Sequence, residues 1–521
     1  MKIITIFIFL SASLFLNATE NNEWSIKGNI RTELSTVDVQ GKESVREGSH
    51  FTQNYNLRYE GPWEEGKAGM SLKARLTNDK NIDNDKIKFQ SFNAFYKDKI
   101  WNLQAGDVSA SLNSYVYGGA LKGIKVSYKS PERKDTFDYT FISGIKKNLW
   151  KDVLTHQISE KPDRYSVGAG MTYRYERSKT ITFSSSFSKD DLSTGSKRTT
   201  QIGKEGSAFG VESNWRFNRY VRLRARGAWA KTDEDIRDVN GSQIGTAFNI
   251  RLLTKPSRKI RSNFSVDRAS SNFSSISGGG GRDKIRFTNG TTWRYSKQTN
   301  IRLSLKTTRD NLDGAKGATK HTIYEMLNFA YKPIFLKRSE MIFSMDNSKN
   351  YGRDPSSDNH TLNFGFNYNP KGAWRYGINL SQNNAYSENN LSSITKNISV
   401  KVGYRKKLSK TKRMRVALKL NQRRISETTN DQINYGVRID TGITLSKQLQ
   451  TALSFSSRES QKAVSNDTKN TTYRWTTTYK MGKKLKQTLR LLVEKKDYKV
   501  DNSDTSSYNE NVMRIMYNYR F

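Results

Sequence analysis

The residues best placed to do chemistry in this sequence are arginines and lysines at every second position. Arg222, Arg224 and Arg226 form one such ladder, interleaved with Val221, Leu223 and Ala225. Arg261, Arg286, Arg302, Arg375, Lys401, Arg413, Arg415, Lys419, Arg438 and Arg490 hold the same phase in their own alternating segments, as do Lys306, Arg405, Lys486 and Arg514. Acids in that phase are expected to be few, Asp440 and Glu212 among them. Fixed positive charge on the wall of a water-filled cavity concentrates anions and repels cations. Part of the excess has another explanation. Lys406, Lys407, Lys410 and Lys412 crowd one turn and Lys483, Lys484 and Lys486 another, where they would meet anionic headgroups.

Catalytic constellations are not legible. His50, His156, His321 and His360 fall on loops or segment ends, with no spacing that pairs one with a nucleophile, so the chain is expected not to be an enzyme. Gly278 to Gly281 lacks the Lys-Ser/Thr and following helix of a phosphate loop and reads as a loop tip. With no cysteine, disulfides and thiolate-ligated metal sites are excluded, and no metal or cofactor is expected.

The elements that would hold the cations follow from the rest of the composition. The chain has 521 residues, 89 Lys plus Arg against 49 Asp plus Glu, and a net charge of +40. Its 34% hydrophobic content is low, yet aromatics reach 11%, too many for a disordered chain. Two classes remain: a basic nucleic-acid binder, or a β protein with its apolar residues rationed to one face. The N-terminus speaks against the first. Met1-Lys2 followed by a nearly apolar run from Ile3 to Leu16 reads as a secretory signal peptide over residues 1–18. Residues 19–521 then form one domain, with no nucleic-acid partner expected.

That domain repeats a single unit of alternating strand, turn and alternating strand. Tyr165, Val167, Ala169, Met171, Tyr173 and Tyr175 alternate with small or polar neighbours, and so do Leu362, Phe364, Phe366 and Tyr368. Such period-2 runs argue strands with one apolar face. Counting them predicts an all-β chain: a single closed antiparallel transmembrane β-barrel of about 26 strands, in a range of roughly 22–26. Connections alternate in length. Short ones include 254–258 and 369–372; long ones include 190–206, 232–243, 267–282, 347–359, 458–469 and 497–507. Phe89 and Phe92 break parity and predict a bulge.

The last segment carries a family resemblance. Met513, Ile515, Tyr517, Tyr519 and Phe521 alternate to the final residue. This resembles the C-terminal assembly signal of bacterial outer-membrane β-barrel proteins. The resemblance implies recognition by the barrel-assembly machinery, location in the outer membrane among lipid and lipopolysaccharide, and both termini in the periplasm. A weaker likeness, Gly106-Asp107-Val108-Ser109 with Tyr115, Gly118-Gly119 and Leu121 to Ile124, resembles a pattern of fimbrial usher barrels. It is read as a strand–loop–strand with glycines at a bend, because the chain has no room for an usher's plug and periplasmic domains. No loop is long enough to serve as a dedicated plug. The function expected is a porin-like channel with a cationic lumen, favouring passive passage of anionic or polar solutes. The alternative is a sheath or export barrel enclosing a periplasmic or lumen-filling protein, or guiding a polymer.

Overall fold

In the computed structural model, residues 24–521 are described, apart from 42–46, 84, 133, 148–149, 151–161, 177, 195–201, 238–240, 280–282, 315–316, 353–355, 371, 389, 428–430, 483–485, 502 and 504–505. The expected signal peptide and His156 lie outside the described residues. Twenty-six strands, numbered in chain order from β1 (Ser25–Gln40) to β26 (Tyr508–Arg520), form one sheet. Each pairs antiparallel with its sequence neighbours, and β1 pairs with β26 through Leu34↔Ile515 and Val37↔Val512. Gly28 and Phe521 exchange both backbone hydrogen bonds at the seam. Closure joins the first strand to the last, the condition for crossing a membrane with strands.

Register fixes which side chains share a face. One face carries the large exposed apolar side chains, such as Leu34, Phe209, Trp229, Leu303, Phe364, Ile439 and Ile515. This is the outward face. At the short-turn end it carries paired rings: Trp101 against Tyr128 at 5.1 Å, Tyr368 against Tyr376 at 6.2 Å, and Trp374 against Tyr404 at 4.9 Å between centroids. Rings with one polar edge suit the boundary between hydrocarbon and headgroups, and such girdles mark outer-membrane barrels.

The bulge stands where parity predicts it. The register between β3 (Gly66–Thr77) and β4 (Ile87–Lys97) shifts at Lys73/Ala74, so Phe89 and Phe92 both point outward. Three expected long loops are shorter than predicted. Strands run to Tyr351, Lys462 and Val500 and resume at Ser357, Thr468 and Tyr508. From Asn347 to Asn350 and from Arg458 to Lys462 the residues are polar on both faces, so hydropathy alternation fades while the ladder continues. A bilayer crossing needs only about 9–11 residues, and β20 (Asn390–Lys407) spans 18.

Candidate functional site: an inward hairpin and a polar bore

Two strands leave the wall. Strands β5 (Trp101–Ser111) and β6 (Gly118–Tyr128) pair with each other throughout, to Ser111↔Gly118. Yet β4 pairs with β5 only from Lys97↔Asn102 to Asn93↔Gly106. Likewise β6 pairs with β7 (Thr136–Lys146) only up to Lys122↔Ile145. Beyond Gly106 and Gly123 the hairpin turns into the bore. Gly106 has φ +109°, a conformation side chains other than glycine disfavour, and a Cβ there would strike the Phe92 carbonyl.

The bend strips strand donors of partners, and Asp107 replaces them. Its carboxylate accepts from the Phe92 backbone N–H at 2.7 Å, from Trp150 Nε1 at 2.6 Å and from Lys122 Nζ at 2.8 Å. Lys122, buried, also lies 4.7 Å from the centroid of the Trp150 ring. A buried ammonium is tolerated only with such partners.

The hairpin tip docks on a shelf of small residues. In register across β8 (Asp163–Glu176), β9 (Lys179–Asp191), β10 (Glu205–Arg216), β11 (Val221–Asp233) and β12 (Gln243–Thr254), the inward positions include Gly168, Ser186, Ala208, Ala230 and Gly245. Val116 and Tyr117 sink against it, at 0% and 2% exposure. A Cβ on Gly210 would stand 2.6 Å from Val116 Cγ2 and 2.9 Å from Asn113 Nδ2. Asn113 donates to the Val211 and Gly227 carbonyls at 3.3 and 3.2 Å, and Ser186 Oγ donates to the Val116 carbonyl at 2.8 Å.

A second segment clamps the tip. The connection from β13 (Ile260–Ala269) to β14 (Lys284–Trp293) folds inward, its Phe273 1% exposed and edge-on to Tyr115 at 5.8 Å. Gly118 N–H donates to the Ser277 carbonyl at 2.8 Å and Gly279 N–H to the Ser114 carbonyl at 2.7 Å. Gly278 and Gly279 are therefore packing positions rather than a free loop tip; the last two glycines of the run lie outside the described residues. Tyr115 Oη donates to Asp267 at 2.7 Å. Burial first, then that carboxylate, hold the Tyr115 phenol above its ordinary range. Burial alone pushes Tyr117 up to about 12, and its hydroxyl finds no hydrogen-bond partner among the described residues.

The sequence-derived cations can now be placed. Register puts Arg222, Arg224, Arg226, Arg261, Arg286, Arg302, Arg375, Lys401, Arg413, Arg415, Lys419, Arg438 and Arg490 on the face opposite the outward apolar set. They do not converge on one point but are spread around the circumference. Four of them meet carboxylates: Arg224 and Arg226 share Glu212 at 2.6 and 3.1 Å, Arg438 meets Asp440 at 2.8 Å, and Arg286 meets Asp267 at 3.8 Å. Inward acids are more numerous than the sequence suggested. Glu33, Asp138, Asp190, Asp267, Asp346 and Glu494 join Asp440 and Glu212 on that face. Their phase was readable, since Asp138 lies between Phe137 and Tyr139 and Asp346 follows Phe343 and Met345, and the alternation that places the cations places them too.

Met513, Ile515, Tyr517 and Tyr519 lie on the outward face of β26, with Phe521 bonded to Gly28 just beyond it. Of the histidines, His321 stacks on Tyr351 at 4.9 Å, and His360 Nε2 lies 3.4 Å from an Asp358 carboxylate oxygen on the outward face. The groups sequence reasoning missed are Asn113, Val116 and Tyr117 at the tip and the Asp107–Lys122–Trp150 cluster at the bend. The available signal was the run of Gly, Ala and Ser at inward phase on five successive strands.

Closure, outward aromatic girdles and a polar inner face define a bacterial outer-membrane β-barrel. No protein family and no curated protein matches the chain. Solved structures that it resembles include the P pilus usher translocation pore, 10% identical over 95% of this chain and 98% of that one, with a TM-score of 0.39. A variant of the ferric enterobactin receptor from Pseudomonas aeruginosa is 9% identical over 95% and 80%, with a TM-score of 0.43. An anion-selective porin from Comamonas acidovorans is 13% identical over 55% and 89%, with a TM-score of 0.31. The functional reading rests on the barrel's own geometry.

Proposed function

We propose that the protein is an outer-membrane channel that passes small polar and anionic solutes by diffusion, its bore narrowed on one side by the β5–β6 hairpin. The observation that carries the reading is the inner face: cations at thirteen sequence-predicted positions, most of them without a carboxylate partner among the described residues, around a closed cylinder. If circular, 26 strands about 4.8 Å apart and tilted near 40° enclose a backbone cylinder roughly 50 Å wide. A bore of that scale stays hydrated, and fixed charges on its wall enrich counter-ions within about a Debye length, ~8–10 Å. Selectivity is then strongest along the wall. The outward face supports residence in outer-membrane lipid facing lipopolysaccharide, and the alternating outward positions of β26 suit recognition by the barrel-assembly machinery.

The width also favours a second reading, a sheath that encloses a partner protein or guides a polymer, because small solutes alone need far less girth. Planar-bilayer recording under a KCl gradient tests the first reading. A reversal potential on the chloride side supports it; cation preference, or an intact barrel without conductance, would sink it. Co-purification of a stoichiometric lumen protein under mild detergent would favour the sheath.

A further inference from the structure

The inner face is not uniform around the circumference. Around β1 and from β7 to β14, several inward cations sit against acids: Arg31 with Glu33 at 3.0 Å, Arg164 with Asp190 at 2.6 Å, Arg224 with Glu212 at 2.6 Å. Across β19 (Trp374–Ser387), β20 and β21 (Arg413–Glu427) the pattern reverses. Arg375, Lys401, Arg405, Arg413, Arg415 and Lys419 are all exposed, and none makes an ion pair among the described residues. They also face one another. Lys401 lies opposite Lys419, Arg405 opposite Arg415, and Lys407 opposite Arg413. On β22 (Asp431–Thr444), Lys419 meets a further cation, Arg438, whose Asp440 is the nearest compensation.

Like charges directly opposite across an antiparallel pair destabilise it. Three such rows side by side, with Asp440 the one acid set among them, make a net positive field that an external polyanion neutralises. Successive rows on one face are about 7 Å apart along a strand and about 4.8 Å apart between strands, so the patch is a strip rather than a point.

Farther along the same strands, away from the termini, the inward residues change type. Asn363, Ser381 and Asn397 stand in one register row, and Asn379, Ser399 and Asn421 in another. They are only loosely committed to each other: Asn397 Nδ2 donates to Ser381 Oγ at 3.1 Å, and Asn363 Nδ2 to Ser344 Oγ at 3.1 Å. An amide carries two donors and two acceptor lone pairs, so most of that capacity is spare. Side by side, amides and hydroxyls match the hydroxyl-dense edge of a sugar chain. A small inorganic anion would have no use for them. Nucleic acid would want rings to stack on, and the inward positions of β20, β21 and β22 carry no aromatic ring: they are Asn, Ser, Thr, Gly, Ala, Ile, Gln, Asp, Glu, Arg and Lys.

We propose that this strip is a binding track for a linear acidic polysaccharide, its carboxylates on the Lys401–Lys419 and Arg405–Arg415 rows and its hydroxyls on the Asn/Ser rows beyond. The assignment rests on the channel reading, because the strip must face a hydrated bore, and it names the substrate class of that bore.

The test uses the full-length purified barrel with a galacturonate decamer, a dextran oligomer of equal length, inorganic phosphate and a single-stranded oligonucleotide of equal charge. Expected are saturable decamer binding by calorimetry and transient current blocks in bilayers, with dextran and phosphate far weaker. The variant Lys401→Gln/Arg415→Gln/Lys419→Gln should weaken the decamer on the order of tenfold, at about a factor of two per exposed contact. Asn379→Leu/Asn397→Leu should weaken it as well, whereas Lys396→Gln, on the outward face of β20, should not. Decamer affinity no better than that of phosphate, indifference to both multiple variants, or equal binding of the oligonucleotide would overturn the proposal. An anion-selective channel that ignores the decamer sinks the glycan track alone. A barrel that binds the decamer yet passes no small-ion current sinks the channel alone.

Discussion

Replacing Gly168 and Gly210 by leucine should release the hairpin tip without unfolding the barrel. A Cβ on Gly168 meets Tyr117 Cδ2 at 3.2 Å and Leu112 Cδ1 at 3.3 Å, and one on Gly210 meets Val116 Cγ2 at 2.6 Å. Full burial of Val116 and Tyr117 is worth roughly 3–6 kcal/mol together, the tyrosine ring counted as a phenylalanine. The unpartnered Tyr117 hydroxyl takes back about 1–3 kcal/mol. The docked state is thus favoured over the released one by roughly 0–5 kcal/mol, with a mid-range ratio on the order of 100-fold. Overpacking costs about 1–3 kcal/mol per site, so two leucines remove roughly 2–6 kcal/mol, enough to level or invert that ratio. Strand pairing of β8 and β10 is unaffected, because both positions carry ordinary strand backbone. The assay is single-channel conductance in planar bilayers, read beside protease cleavage at residues 112–117 and heat-modifiability on gels. Higher conductance and new cleavage in a still heat-modifiable barrel are expected. An intact double variant with unchanged conductance and an uncut tip would refute the docking energetics.

Four other outcomes follow from the same geometry. Tyr117→Phe should tighten docking by about 1–3 kcal/mol, since it removes a buried hydroxyl without a partner; fewer spontaneous openings in current traces would show it. Asn113→Ala should loosen the tip by about 1–3 kcal/mol through loss of its two carbonyl contacts, measured as faster hydrogen exchange in the hairpin. Glu212→Gln should leave Arg224 and Arg226 without their shared carboxylate and move the KCl reversal potential further to the chloride side. Because docking raises the Tyr115 pKa, the linked stability is fully present below the free phenol value near 10 and is lost as pH climbs through the docked value. Conductance should therefore rise at strongly alkaline pH, and Tyr115→Phe should weaken that dependence, leaving the part that the buried Tyr117 phenol carries.

The barrel was legible because period-2 alternation acts through a single physical rule: lipid outside, water inside, one residue for each. Tyr165 to Tyr175 or Leu362 to Tyr368 state it without help from distant residues. Phe89 and Phe92 gave away a bulge for the same reason, since lipid demands both outward. The hairpin was not legible in the same way. Its bend glycines could be read, but its destination depends on Gly168, Ser186 and Gly210, which are unremarkable in their own strands and form a shelf only after closure sets them level. The ion pairs of Glu212 and Asp267 were also hidden, because a cation's partner lies one strand away, at a distance no linear pattern encodes. The loops between 347 and 359 and between 458 and 469 misled because polarity on both faces looks the same whether the backbone is paired or not.

The early departure of β5 and β6 means that the cylinder is not built to one gauge. Near the termini all 26 strands share the hoop of backbone hydrogen bonds; past Gly106 and Gly123 two staves leave it, and β4 and β7 each lose a ladder partner. A hoop with every stave carries sideways load evenly. This one carries it up to a notch, where continuity passes from the backbone ladder to a carboxylate, an ammonium and an indole. Asp107, Lys122 and Trp150 are thus a rivet in the wall, and the barrel's weakest seam lies beside the element that narrows its bore.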